Sequence, residues 1–299
     1  MATLFQNLGI NILDLTFFFA KRLLRIIPGL IVATIGAIVI CGLFFTSIPL
    51  IDFLTRQETV TYLNNILIYN PSFSLPGVFE NNAYPTAVNG SIWTLAYEFT
   101  MYLIVGFIGV LKIYKKMPPF VAWGLLLLLV LLMTFLGAGH LSVSVFYLDL
   151  GKMLILALMF FSGIMMHKYE KIVKLNALYG IFSLVLFIGI SLLAPKTTPI
   201  LAATFLAYSL FALGRHDAMS WISKYGDFSY GLYIYAFPIQ QMVASITHTT
   251  STLKMFALSL LPTLIVSILS WYLVESKALK WKTKINIKKY PIIQTDEAW

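Results

Sequence analysis

Charge is scarce in this 299-residue chain. Asp, Glu, Lys and Arg together make up 11% of it, less than half the share of an ordinary soluble domain. A chain so poor in charge and 59% hydrophobic does not read as a soluble globule; it reads as an integral membrane protein. Cysteine is nearly absent: Cys41 is the only one, which excludes an internal disulfide and reads as a small packing residue within an apolar run. There is no internal repeat, Ser/Gly-rich linker or low-complexity tract, and no basic start followed by an apolar core that would mark a cleavable signal peptide. The four histidines, His140, His167, His216 and His248, fall at span ends without metal-ligand spacing, so no metal site is expected.

What is present is a series of apolar segments of roughly 20 residues, which in lipid must be helices to satisfy their own backbone groups. They fall at about 28–48, 91–111, 120–138, 150–166, 176–194, 198–214, 228–247 and 256–274. The expected fold is all-α, a polytopic membrane bundle of about eight transmembrane helices in one domain, residues 1–284, followed by a short tail, 285–299. Basic residues cluster before the first span and after the second, fourth, sixth and eighth; only Arg56, Lys152, Lys196 and Lys254 lie on the other side. By the positive-inside rule both termini face the cytoplasm. The net charge of +9 is therefore topology, with membrane lipid as the partner and no nucleic acid.

One long loop, about residues 49 to 90, is rich in Asn, Pro and aromatics, as in "YNPSFSLPGVFENNAYPTAVNG". Its composition suits contact with a sugar or a lid over an outward cavity; equally, it suits a loop folded against the helix ends.

Three segments carry chemistry. In "NGSIWTLAYEFTMYL" the residues Ser91, Thr94, Glu98 and Tyr102 share one helical face, and Glu98 lies about 10 Å inside its span. A carboxylate there costs several kcal/mol unless protonated or paired. It reads either as functional or as a polar tie between helices. In "KRLLRIIPGL" Arg22 and Arg25 stand one turn apart at the mouth of the first span, with Pro28 at its start. Two guanidinium forks suit capture of phosphates; snorkelling anchors look the same. In "YGDFSYGLYIYAFPIQQ" a face of Tyr230, Tyr233, Phe237 and Gln241 runs past Pro238, which removes the backbone bond to residue 234 and should kink the helix. That face reads as the wall of a substrate cavity or as a packed aromatic stripe.

Taken together and in this order, the segments resemble the acyltransferase-3 family of multipass bacterial membrane enzymes that O-acylate envelope glycans. "KRLLRIIPGL" is similar to that family's Arg-x-x-Arg-Ile-x-Pro element, which implies that Arg22 and Arg25 serve the acyl-CoA donor. "SIWTLAYEFTMYL" resembles its Trp-Ser-Leu-x-x-Glu helix at Trp93, Thr94, Leu95 and Glu98. "FSYGLYIYAFPI" resembles its Ser-Tyr-x-x-Tyr helix, and "YLVES", with Glu275, its last span. The resemblance implies an O-acyltransferase of the bacterial inner membrane. It would move an acetyl group from cytoplasmic acetyl-CoA, a substrate rather than a bound cofactor, to a glycan hydroxyl. Glu98 would be catalytic, with Trp93, Thr94, Tyr102, Tyr230 and Tyr233 along the substrate path.

Two departures stand out. Ala236 occupies a position where the family often has His, and family members usually have ten spans with a histidine in the first. The expectation is therefore a truncated form lacking two helices, with little or no transfer activity by itself. The rival functions are an envelope lipid or polysaccharide transporter, or flippase, and a non-catalytic remnant; neither matched half-helices nor repeats favour the transporter.

Overall fold

The computed structural model describes residues 12–111, 118–136, 144–145, 148–215 and 224–286. The readings that concern His140, His216 and most of the tail lie outside the described residues. The chain is a helical membrane protein. Its helices are α1 (Ile12–Phe44), the short α2 (Leu50–Thr55) and α3 (Gln57–Tyr62), α4 (Trp93–Val110), α5 (Pro119–Phe135), α6 (Leu150–Lys168), α7 (Ala177–Leu193), α8 (Pro195–Gly214), α9 (Ser229–Thr247) and α10 (Thr252–Ser270). A π turn, Trp271–Glu275, joins α10 to α11 (Ser276–Asn286). A two-residue strand pair, Ser144–Val145 with Leu148–Asp149, precedes α6. Among the described residues, five helical stretches are long and apolar enough to cross a membrane: Leu15–Phe44, α4, α6, α8 and Thr252–Trp281. The helices α5 and α7 are apolar but shorter.

Each expected span is a helix, but the first was placed too late. Residues 28–48 were expected, with Pro28 opening the helix; α1 instead starts at Ile12 and carries Pro28 inside it. The physical reason lies in its length. At 1.5 Å per residue its 33 residues reach about 50 Å, well beyond the ~30 Å hydrocarbon, so the helix accommodates Lys21, Arg22 and Arg25 in its excess turns. Counted back from Phe44, a span of about 20 residues ends at Arg25.

The described residues divide into two compact units, one drawn from 12–16 and 97–225, the other from 17–96 and 226–286. In the first, α5, α6 and α8 close on Val130, Leu158 and Ala203. Trp123 Nε1 donates to Ser162 Oγ (2.7 Å), which in turn donates to the Leu158 carbonyl (2.9 Å). A π turn at Ala202–Leu206 interrupts α8, and Ser183 of α7 donates its hydroxyl to the Phe205 carbonyl there (2.7 Å). Asp149 opens α6 by accepting from the Lys152 amide (2.8 Å).

In the second unit the long loop is folded, not loose. Phe53, Tyr62, Leu75, Val78, Phe79 and Val88 pack on Ala37, Ile38 and Cys41 of α1, with Met242 of α9 against them. Gln241, 5% exposed, donates through Nε2 to the carbonyls of Tyr84 (2.7 Å) and Ala87, while Asn82 donates to the Gln241 carbonyl (2.9 Å). Pro238 has no N–H to offer the carbonyl of Ile234 four residues back. The buried Asn89 supplies the missing donor through Nδ2, at 3.0 Å, and its Oδ1 accepts from the Ser91 amide (3.1 Å). Asn89→Ala therefore strands a buried carbonyl and is expected to destabilise the protein by about 1–3 kcal/mol, read as a lowered unfolding midpoint in detergent. An unchanged midpoint would show that water reaches Ile234.

Candidate functional site

Within the second unit, polar groups from α1, α9 and α10 converge at the end of α1 that carries the arginines. Nη2 of Arg25 meets Oδ2 of Asp227 at 2.6 Å, with the two side chains 49% and 41% exposed. The other carboxylate oxygen, Oδ1, accepts from the Ser229 amide (3.2 Å) and hydroxyl, so Asp227 also fixes the turn that leads into α9. Burial pushes the Asp227 carboxyl upward, but the Ser229 hydrogen bonds and the Arg25 charge outweigh it and hold the group below its ordinary value. Arg22 lies over the Phe18 ring, 4.3 Å from its centroid.

One turn further along α1, Gly29 makes room for its neighbours. A Cβ there would lie 2.7 Å from Cε1 of Tyr230 and 3.6 Å from Cγ of Glu275. Tyr230 is buried and donates its hydroxyl to the Ile26 carbonyl (2.8 Å). Glu275, 2% exposed, accepts at 2.6 Å from Ser270 Oγ. Residues five apart point to different faces of an α-helix; the π turn between them brings these two together. Tyr235 donates to the same Ser270 hydroxyl (3.3 Å).

At the start of α4, Tyr233 donates to the Ser91 carbonyl. That uses its one proton, so the Thr94 hydroxyl, 2.7 Å away, is the donor to Tyr233. Trp93 is half-buried beside them in the chain. Gly90 lets the Phe237 ring sit where a Cβ would come within 2.7 Å of it. In the first unit, Glu98 accepts a hydrogen bond from Tyr102, one turn on, and the Tyr102 ring stands edge-on to Phe160 at 5.9 Å. Among the described residues, no three His, Cys, Asp or Glu side chains gather as a metal site.

A model of the acyltransferase domain matches residues 8–273. The chain belongs to the acyltransferase-3 family. A phage protein named O-acetyl transferase, from Shigella phage Sf6, is 29% identical over 273 residues, covering 88% of this chain and 77% of that protein. No solved structure matches.

In this membrane acyltransferase, the residues singled out in the sequence are distributed over both units. Arg22, Arg25, Trp93, Thr94, Tyr230 and Tyr233 belong to the second, Glu98 and Tyr102 to the first. The hydroxyls of Tyr230 and Tyr233 are engaged in joining helices and helix ends. Asp227, Gly29 and Asn89 escaped the sequence reading. Asp227 had a signal, since it is the one carboxylate in "YGDFSYG", two residues before Ser229 at a helix start. Its pairing with Arg25, 202 positions away, had none.

Proposed function

We propose that this acyltransferase is an O-acetyltransferase of the bacterial inner membrane, moving an acetyl group from acetyl-CoA to a hydroxyl of a cell-envelope glycan. The observation that carries the donor half of this reading is Arg25. It is a half-exposed guanidinium on an apolar helix, held in place by Asp227, with charge and fork geometry suited to a phosphate of coenzyme A. The phage relative's name supports the acetyl group. The charge asymmetry of the loops supports cytoplasmic termini, which puts Arg25 on the side where acyl-CoA occurs.

In the reaction the glycan hydroxyl oxygen attacks the thioester carbonyl, the carbon–sulfur bond breaks, and coenzyme A leaves as a thiolate that takes up the proton the base removed from the hydroxyl. The hydroxyl proton must go to a base during the attack, and Glu98 accepts it directly or orients the group that does. Tyr102, donating to Glu98, fixes which way the carboxylate turns.

The test uses the purified chain in lipid nanodiscs with acetyl-CoA and a glycan acceptor, following thiol release and donor binding. Arg25→Lys keeps the charge and loses the fork, so donor affinity should fall about tenfold with membrane insertion intact. Equal affinity in the lysine variant would reduce Arg25 to a helix anchor.

A further inference from the structure

We propose that Asp227 competes with the donor's phosphate for Arg25, making the ion pair a latch that coenzyme A opens on binding. The inference rests on the donor reading above and adds to it a residue that sets affinity. The geometry divides the two carboxylate oxygens between separate tasks. Oδ1 holds the Ser229 amide and hydroxyl at the start of α9, and Oδ2 alone holds Nη2 of Arg25. A phosphate can therefore take over Nη2 without undoing the helix start. Both side chains are close to half exposed, so the pair is weak, and water hydrates Oδ2 once it is released.

The same placement keeps Arg25 in one position while no donor is bound. An unpaired arginine at this depth would have many rotamers and would swing toward lipid phosphates. Asp227 holds it beside Ile26 and Gly29, where Tyr230 is seated. The latch costs some donor affinity and in return keeps the guanidinium from straying to other anions.

Calorimetric titration of the full chain in nanodiscs with coenzyme A tests this. Asp227→Asn removes the charge and keeps a side-chain oxygen that can accept from Ser229, so the turn into α9 should persist; Asp227→Ser is a second uncharged acceptor. Each variant is expected to bind coenzyme A about two- to fivefold more tightly than the unaltered chain. In an Arg25→Gln background the same substitutions should give no gain, because the competition runs through Arg25. Unchanged or weaker binding in both variants, with Arg25→Gln still weakening the parent, would overturn the latch and leave the donor reading standing. A gain that survives Arg25→Gln would overturn it as well, since removal of a negative charge would then be acting at a distance. If neither the parent nor any variant binds coenzyme A, the donor reading and the latch fall together.

Discussion

Replacing Glu98 with glutamine is expected to lower whatever acyl transfer the chain supports, small as that is expected to be, by about 10²–10⁴-fold and to leave the protein folded. The substitution is nearly isosteric, and the glutamine carbonyl still accepts the hydrogen bond that Tyr102 donates. What it removes is the ability to take a proton. A carboxylate that only ties helices together by accepting hydrogen bonds would be replaced at little cost, so the two roles separate cleanly. The assay follows thiol release from acetyl-CoA, with an unfolding midpoint measured on the same preparation. Normal transfer by Glu98→Gln would leave Glu98 a structural role only.

The second large effect is expected at Gly29. An alanine Cβ at that position would meet Cε1 of Tyr230 at 2.7 Å and Cδ1 at 3.3 Å. The ring has little freedom to move aside: it is 8% exposed, and its hydroxyl is bonded to the Ile26 carbonyl on the same helix as Gly29. Relief requires α1 and α9 to separate or Tyr230 to give up its hydrogen bond, a strain of about 1–3 kcal/mol. Arg25 sits one turn away on α1, paired with Asp227 just before α9, so donor binding should weaken together with stability. Gly36, also on α1, is the control, because nothing lies within 4 Å of a Cβ built there. Gly36→Ala should be neutral or slightly stabilising, since alanine is the better helix former. Equal unfolding midpoints for the two alanine variants would show that Tyr230 is not held as tightly as its contacts indicate.

Much of the fold was legible because membrane helices announce themselves by composition. A run of about 20 apolar residues has few other ways to satisfy its backbone in lipid, and eight such runs are eight helices. The exception was the start of α1, where Lys21, Arg22 and Arg25 were read as lying outside the helix. Charge marks where hydrocarbon ends, and a helix can continue past that point. The backbone donor missing at Pro238 was legible as well, since it follows from the residue itself. Its remedy was not, because Asn89 is 145 positions from Ile234 and nothing local marks an Asn as the donor for a distant carbonyl. For the candidate site, residue types and spacing pointed to Arg25 and Glu98, whereas Asp227 gains its meaning from a tertiary pairing. The approach of Ser270 to Glu275 depends on a π turn that periodicity at 3.6 residues cannot anticipate.

The bond from Asn89 to Ile234 also bears on how the chain is made. A ribosome adding 5–20 residues per second needs about 7–30 s to travel the 145 positions between the two. Asn82 waits longer still, since its acceptor is Gln241, 159 positions on. For most of that interval the loop is outside the ribosome while the helix that completes it has yet to be synthesised. The loop's apolar side chains, Phe53, Val78 and Val88 among them, can settle on α1 early, because that helix is already in place. Its amide side chains cannot find their partners until α9 arrives. Assembly is thus ordered in time, with apolar docking early and amide pairing late. The step most exposed to interruption is the entry of one proline-containing helix into a loop that has been waiting for it.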